Sequence, residues 1–229
     1  MTRHLADLAE APEHAVYQPQ QDSQLLCEMM ENTGLVPGRR VADLCTGSGV
    51  VAIRAARLGA ASVTAFDVSD EAVSAARANV RAAGVDVDVR LGTFTASRQF
   101  GPFDVVACNP PYVPIPPDDD LATIPGAGPA QAYNAGSDGR LVLDPLCAAA
   151  PSLLAEEGTL LVVQSEFADA DASLVALRAV GLKASVIARY WIPFGPVTTA
   201  RAGWLERTGW LAPGRRVEEL VVIRADVVP

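Results

Sequence analysis

Arg39-Arg40-Val41-Ala42-Asp43-Leu44-Cys45-Thr46-Gly47-Ser48-Gly49-Val50-Val51-Ala52-Ile53 passes from one apolar stretch, through a glycine-bearing polar turn, into another. Residues 39–44 read as a buried strand, and residues 49–58, stopped by Gly59, as a helix. The alternation continues outward from there. Further strands are expected at 61–66, 85–91, 103–108, 159–164, 183–188 and 217–225. Helices are expected at 70–83, stopped by Gly84, at 139–155, and at 168–180, stopped by Gly181. A leading helix at 20–33 carries Leu25, Leu26, Met29 and Met30 on one face and stops at Gly34. Strands alternating with helices imply right-handed crossovers and an α/β fold, a mostly parallel sheet covered on both faces.

Bulk composition sets the bounds. The chain has 229 residues, half of them apolar and 20% charged, with a formal net charge of −9. That length suits one α/β domain spanning 1–229, with residues 1–34 as an N-terminal arm and helix. There is a single lysine, Lys183, and no basic block. A duplex-binding protein needs a positive face, so the charge argues against nucleic acid. Cys27, Cys45, Cys108 and Cys147 are widely separated and show no metal-ligand spacing, so no metal site is expected. No stretch is long and apolar enough to span a membrane, and no signal-peptide core is present, so a cytoplasmic protein is expected. His4 and His14 read as solvated, and Asp118-Asp119-Asp120 as a solvated acidic loop rather than a cation site.

Two stretches break the rhythm: residues 113–137, rich in proline and glycine, and residues 191–216, rich in aromatic side chains. The first follows a strand whose carboxyl end faces the ligand side of such sheets, and the second does so too if the strand at 183–188 is parallel. Either a substrate wall or a small satellite core would account for the second stretch, with Trp191, Phe194, Trp204 and Trp210.

The turn after the first strand lacks the Gly-Lys-Ser/Thr ending of a phosphate loop and the third glycine of a dinucleotide loop. It fits the nucleoside-binding loop of class I methyltransferases, with Asp43, Gly47 and Gly49 as cofactor-site candidates. Asp67, closing the second strand, can accept both hydroxyls of a ribose. Ser69 or Asp70 can cap the next helix, which frees Asp67. After the third strand, Thr93 can accept a hydrogen bond from an adenine and Phe94 can pack on its face. Thr93 departs from the acidic residue common at that place.

Asn109-Pro110-Pro111-Tyr112 follows the fourth strand. An amide nitrogen is planar and must be held in line with an electrophilic methyl group. The Asn109 side-chain oxygen can accept one N–H and the Pro110 carbonyl, aimed by the fixed proline φ, the other. Tyr112 supplies an aromatic wall. Asn109, Pro110 and Tyr112 are therefore the expected catalytic residues, with Asn109 also bordering the cofactor.

These stretches together resemble the HemK-like protein-(glutamine-N5) methyltransferases, most closely the branch without a separate helical N-terminal domain. Tyr17-Gln18-Pro19-Gln20-Gln21-Asp22-Ser23 resembles that branch's Tyr-x-Pro-x-x-Asp-Ser/Thr motif, which implies that Ser23 lies near the cofactor. Ala135-Gly136-Ser137-Asp138-Gly139-Arg140 resembles the family's glycine-rich turn. The resemblance implies a Rossmann-like class I methyltransferase fold, a seven-stranded sheet with an antiparallel last strand, and S-adenosylmethionine as methyl donor. It implies a protein acceptor, the glutamine of the Gly-Gly-Gln loop of a peptide-release factor. Three alternatives are a small-molecule N- or O-methyltransferase, an adenine-N6 nucleic-acid methyltransferase, and a cofactor-binding scaffold without catalysis. The oligomeric state is not encoded in any of these motifs.

Overall fold

A computed structural model describes residues 16–117, 124–125 and 127–228. His4, His14, the Asp118-Asp119-Asp120 run and most of the N-terminal arm lie outside the described residues. The elements in order are α1 Gln21–Thr33, β1 Arg40–Leu44, α2 Val50–Arg57, β2 Ser62–Asp67, α3 Asp70–Ala83, β3 Asp88–Leu91, α4 Phe94–Ser97 and β4 Phe103–Cys108. There follow α5 Leu143–Leu153, β5 Leu154–Ser165, α6 Ala170–Ala179, β6 Leu182–Pro193, α7 Pro196–Arg207 and β7 Val217–Val227.

One seven-stranded sheet runs β3-β2-β1-β4-β5-β7-β6. The first five strands pair parallel, and β7 pairs antiparallel with both β5 and β6. The mostly parallel α/β sheet with an antiparallel last strand is thus as the sequence implied. The chain winds outward from β1 through β2 to β3, then returns to place β4 on the other side of β1. That reversal opens a crevice beyond the ends of β1 and β4. Leu44 pairs with Cys108 across the two strands. The turns that follow them, Cys45–Gly49 and Asn109–Tyr112, therefore emerge side by side although they are far apart in sequence.

Side chains alternate across the sheet, as strand pleating demands. Val41, Val105, Ala107 and Leu161 pack against α1, α2 and α3 through Leu26, Met30, Ala52 and Val73. Ala42, Val106, Cys108 and Leu160 pack on the other face against α5 and α6, through Leu143, Leu146, Leu153 and Leu177. Burial on both faces explains why these strands read as largely apolar runs rather than alternating ones. Each fully buried leucine contributes about 1.5–3 kcal/mol of transfer free energy. α3 starts where expected: the Ser69 hydroxyl accepts a hydrogen bond from the Ala72 amide at 3.2 Å, an N-cap.

Several boundaries differ from the sequence reading. β3 begins at Asp88, three residues later than expected, and α5 begins at Leu143 rather than at residue 139. β5 begins at Leu154 and carries a register shift opposite Phe103 and Val105, with Glu157 at φ 57°. That irregularity breaks the apolar pattern and hides the strand's first half. β6 runs on to Pro193, because β7 offers it a partner as far as Val217. As the edge strand it leaves Tyr190 and Trp191 exposed, so its periodicity gives no clear signal. The stretch after β6 is not irregular: α7 occupies most of it, opening with Pro196 at its first turn.

Candidate active site

The crevice at the strand reversal is a cavity of ≈ 680 Å³. Its wall includes Ser23, Gly47, Asp67, Thr93, Phe94, Asn109, Pro110 and Tyr112. Those eight come from five separate parts of the chain, and the sheet topology brings them together. Asp43 and Gly49 do not reach the cavity wall. They sit one layer behind and shape the turn.

Asp43 is 1% exposed. Its Oδ2 accepts the Thr46 hydroxyl at 2.5 Å and the Ala52 amide at 3.0 Å, cinching the turn onto the start of α2. Gly49 has φ 85°, and a Cβ there would lie 3.2 Å from the Ala76 methyl. Only glycine combines that backbone with that approach of α3. Burial pushes the Asp43 carboxyl up to about 7, against the lowering effect of its two donors. The folded protein therefore holds this proton more tightly than the unfolded chain, whose carboxyl has an ordinary value near 3.8. Stability contributed through this group is full below about pH 4 and falls as pH rises toward 7. Relative to Asp43→Asn, the wild type is expected to lose roughly 4 kcal/mol at most over that interval, at about 1.4 kcal/mol per pH unit. Thermal melts of both proteins across pH 4–8 check this; a constant difference would contradict it.

Asp67 lies half-buried at the end of β2, where its Oδ2 accepts the Gly47 amide at 2.9 Å and its Oδ1 the Ser69 amide at 3.0 Å. An ionised carboxylate has about four acceptor sites, so capacity remains on the cavity side. The Thr93 hydroxyl, at the exposed rim, pairs with that of Thr95 at 2.6 Å. Phe94 opens α4, lines the cavity and packs into the core beneath it. α4 was not anticipated; four residues are too few to show periodicity.

The Asn109 Nδ2 donates to the Ser23 hydroxyl at 3.1 Å. Among the described residues nothing donates to its Oδ1. The Tyr112 phenol donates to Asp22 Oδ2 at 3.0 Å, and the Tyr17 phenol to the same oxygen at 2.9 Å. Burial, reinforced by Asp22, holds both phenols far above their usual value and therefore neutral. The glycine-rich turn closes behind the tetrapeptide. Gly139 has φ 76°, and a Cβ would lie 2.6 Å from the Tyr112 carbonyl oxygen.

Three residues of the site escaped sequence reasoning: Tyr17, Asp22 and Glu218. Tyr17 and Asp22 belong to the N-terminal motif, but their convergence on Tyr112 is visible only in three dimensions. Glu218 is 3% exposed, lines the cavity, and accepts the Ser165 hydroxyl at 2.5 Å and the Thr198 hydroxyl at 2.9 Å. Burial raises its carboxyl above the usual range. The available signal was an acid at the same face of β7 as the buried Leu220 and Val222. In the 191–216 stretch, Phe194, Val197 and Thr198 line the cavity, while Trp204, Leu205 and Leu211 form a small separate core.

The donor set fits S-adenosylmethionine. Asp67 offers acceptors to a vicinal diol, and Phe94 and Val68 offer apolar surface to a purine, all three lining the cavity. Fold and site together define a class I S-adenosylmethionine-dependent methyltransferase. Residues 15–117 match the family described as the methyltransferase small domain. A protein of Methanocaldococcus jannaschii named as a protein N5-glutamine methyltransferase is 30% identical over 183 residues, 78% of this chain and 87% of that protein. The release factor glutamine methyltransferase of Deinococcus radiodurans is 35% identical over 173 residues, 73% of this chain and 60% of that enzyme. The chain belongs to the HemK-like N5-glutamine methyltransferase family. The fold is shared with the E. cuniculi Mtq2–Trm112 complex, described as responsible for methylation of the translation termination factor eRF1. That match has a TM-score of 0.64 and 20% identity, covering 95% of this chain and 100% of that one.

Proposed function

We propose that the enzyme methylates the side-chain amide nitrogen of the glutamine in the Gly-Gly-Gln loop of a peptide-release factor. One observation carries this reading. Asn109 lines the cavity and is held by its Nδ2 on Ser23, and among the described residues nothing donates to its Oδ1, so that oxygen can accept an amide N–H. The Pro110 carbonyl accepts the second N–H, and Tyr112 flanks the amide plane. S-adenosylmethionine would supply the electrophilic methyl group: the N–C bond forms as the sulfonium C–S bond breaks, S-adenosylhomocysteine leaves, and the amide nitrogen gives up one proton to water. Asp67 holds its ribose hydroxyls, Phe94 and Thr93 border its adenine, and Gly47 and Ser23 complete the near wall. The amide's two acceptors increase electron density on nitrogen and fix its direction, so rate arises from orientation and electrostatics rather than from a strong base.

The charge of the cavity supports a protein acceptor over a nucleobase. Among the described residues its wall holds the carboxyl groups of Asp22, Asp67 and Glu218 and no Lys, Arg or His. A phosphodiester entering there would meet acids and no cation, the reverse of what nucleic acid requires. Among the described residues, no helix is long and apolar enough to cross a membrane. A cytoplasmic site of action, where translation factors reside, accords with this reading. The test is transfer of labelled methyl to a release factor, to its glutamine-to-alanine variant, and to a duplex oligonucleotide. Label is expected in the first alone; label in the duplex would overturn the assignment.

A further inference from the structure

We propose that Asp22 is the positioning residue of the acceptor clamp. With Ser23 it binds the first turn of α1 to both ends of Asn109-Pro110-Pro111-Tyr112. This inference rests on reading that tetrapeptide as the clamp. Asp22 is 3% exposed, and a buried carboxylate is tolerated only where donors satisfy it. Its donors are unusual for a helix start. The N-cap of α1 is Gln20, with no side-chain capping bond. Asp22 Oδ1 takes the adjacent Ser23 amide at 2.6 Å. Its Oδ2 faces out of the helix and takes two phenols, that of Tyr17 at 2.9 Å and that of Tyr112 at 3.0 Å. The acid thus serves the clamp rather than its own helix.

The next residue completes the device. The Ser23 hydroxyl accepts from Asn109 Nδ2 at 3.1 Å, which sets the direction of that side-chain amide. Consecutive residues of one helical turn therefore fix the ring that ends the tetrapeptide and the amide that begins it. Tyr17 shares the Asp22 oxygen and is its second phenol donor. Without the carboxylate the ring loses its anchor, the angle of the acceptor plane relaxes, and the productive fraction of bound acceptor falls. The wall formed by Asp67 and Phe94 belongs to other elements and keeps its geometry.

The experiment compares full-length wild type with Asp22→Asn, Tyr17→Phe, Tyr112→Phe and the Asp22→Asn/Tyr112→Phe double variant. It measures kcat and KM on a release factor, and S-adenosylmethionine affinity by calorimetry. Asp22→Asn is expected to lower kcat about ten- to a hundredfold while cofactor affinity stays within about threefold. The double variant should be no worse than the poorer single one, because the two groups act through one contact. A kcat within about twofold of wild type, or fully additive losses, would overturn the proposal. Should Asp22→Asn fail to fold, Tyr112→Phe carries the same split between kcat and cofactor affinity, with the same overturning result. A wild type inactive on release factors would instead refute the acceptor assignment. Asp22 is then judged by absorbance titration of tyrosine. Removing its charge should let buried phenols ionise at lower pH, and an unchanged titration would overturn the proposal.

Discussion

Asn109→Ala is expected to reduce turnover about 10²–10³-fold, the usual loss when one preorganised hydrogen-bond partner of a transition state is removed. Cofactor affinity should stay within a few-fold, because Asn109 approaches the cavity from the end of β4 whereas Asp67 closes β2 and Phe94 opens α4. The Asn109 side chain has one bond among the described residues, to Ser23, so its removal should barely change the melting temperature. Single-turnover transfer, calorimetry and thermal melting separate these effects. Retained turnover would defeat the clamp. A collapse of stability with normal turnover per folded molecule would reduce Asn109-Pro110-Pro111-Tyr112 to a structural turn.

Asp67→Ala is the mirror image. A charge-assisted contact to a ribose diol is worth roughly 1.5–3 kcal/mol. Cofactor affinity should therefore fall about ten- to a hundredfold or more. The same substitution leaves the Gly47 and Ser69 amides without their acceptor, so a modest drop in melting temperature should accompany it. Asp67→Asn separates the two roles. It keeps an oxygen for one amide, sacrifices the charge, and should recover stability more fully than affinity. Unchanged affinity in Asp67→Ala would remove this residue from the site.

The parts of the fold legible in sequence are those buried on both sides. β1 and β4 are mostly apolar, Arg40, Asp43 and Asp104 apart, because helices cover both faces, and their ends are marked by glycine or proline. The competition for the role of N-cap beside Asp67 was also legible: Ser69 takes the Ala72 amide, and Asp67 turns toward the cavity. β6 was seen only in its inner half, since an edge strand with solvent on one side sends Tyr190 and Trp191 outward. α7 was obscured by its mixed composition, although Gly195-Pro196 marks its start and Gly209 follows its end.

The candidate site was legible only as separate motifs. Asp43 and Gly49 have motif character because they build the turn, so sequence pattern does not separate a residue that shapes a loop from one that faces the cavity. Asp22 illustrates the converse. Its neighbours in the chain give no reason to pair it with a tyrosine ninety positions away, and only the strand reversal brings Tyr112 to it. Glu218 enters from the reversed strand β7, whose inward acid finds hydroxyls on β5 and α7.

The central claim is that the acceptor is one side-chain amide of a translation factor. Site mapping tests it most directly. Purified enzyme, S-adenosylmethionine and an unmethylated release factor are combined, and the digested factor is sequenced by tandem mass spectrometry. A single methyl group on the glutamine of the Gly-Gly-Gln loop is the predicted result. A methyl group on any other residue, or an unmodified factor while the enzyme methylates a nucleobase or small molecule, would contradict it.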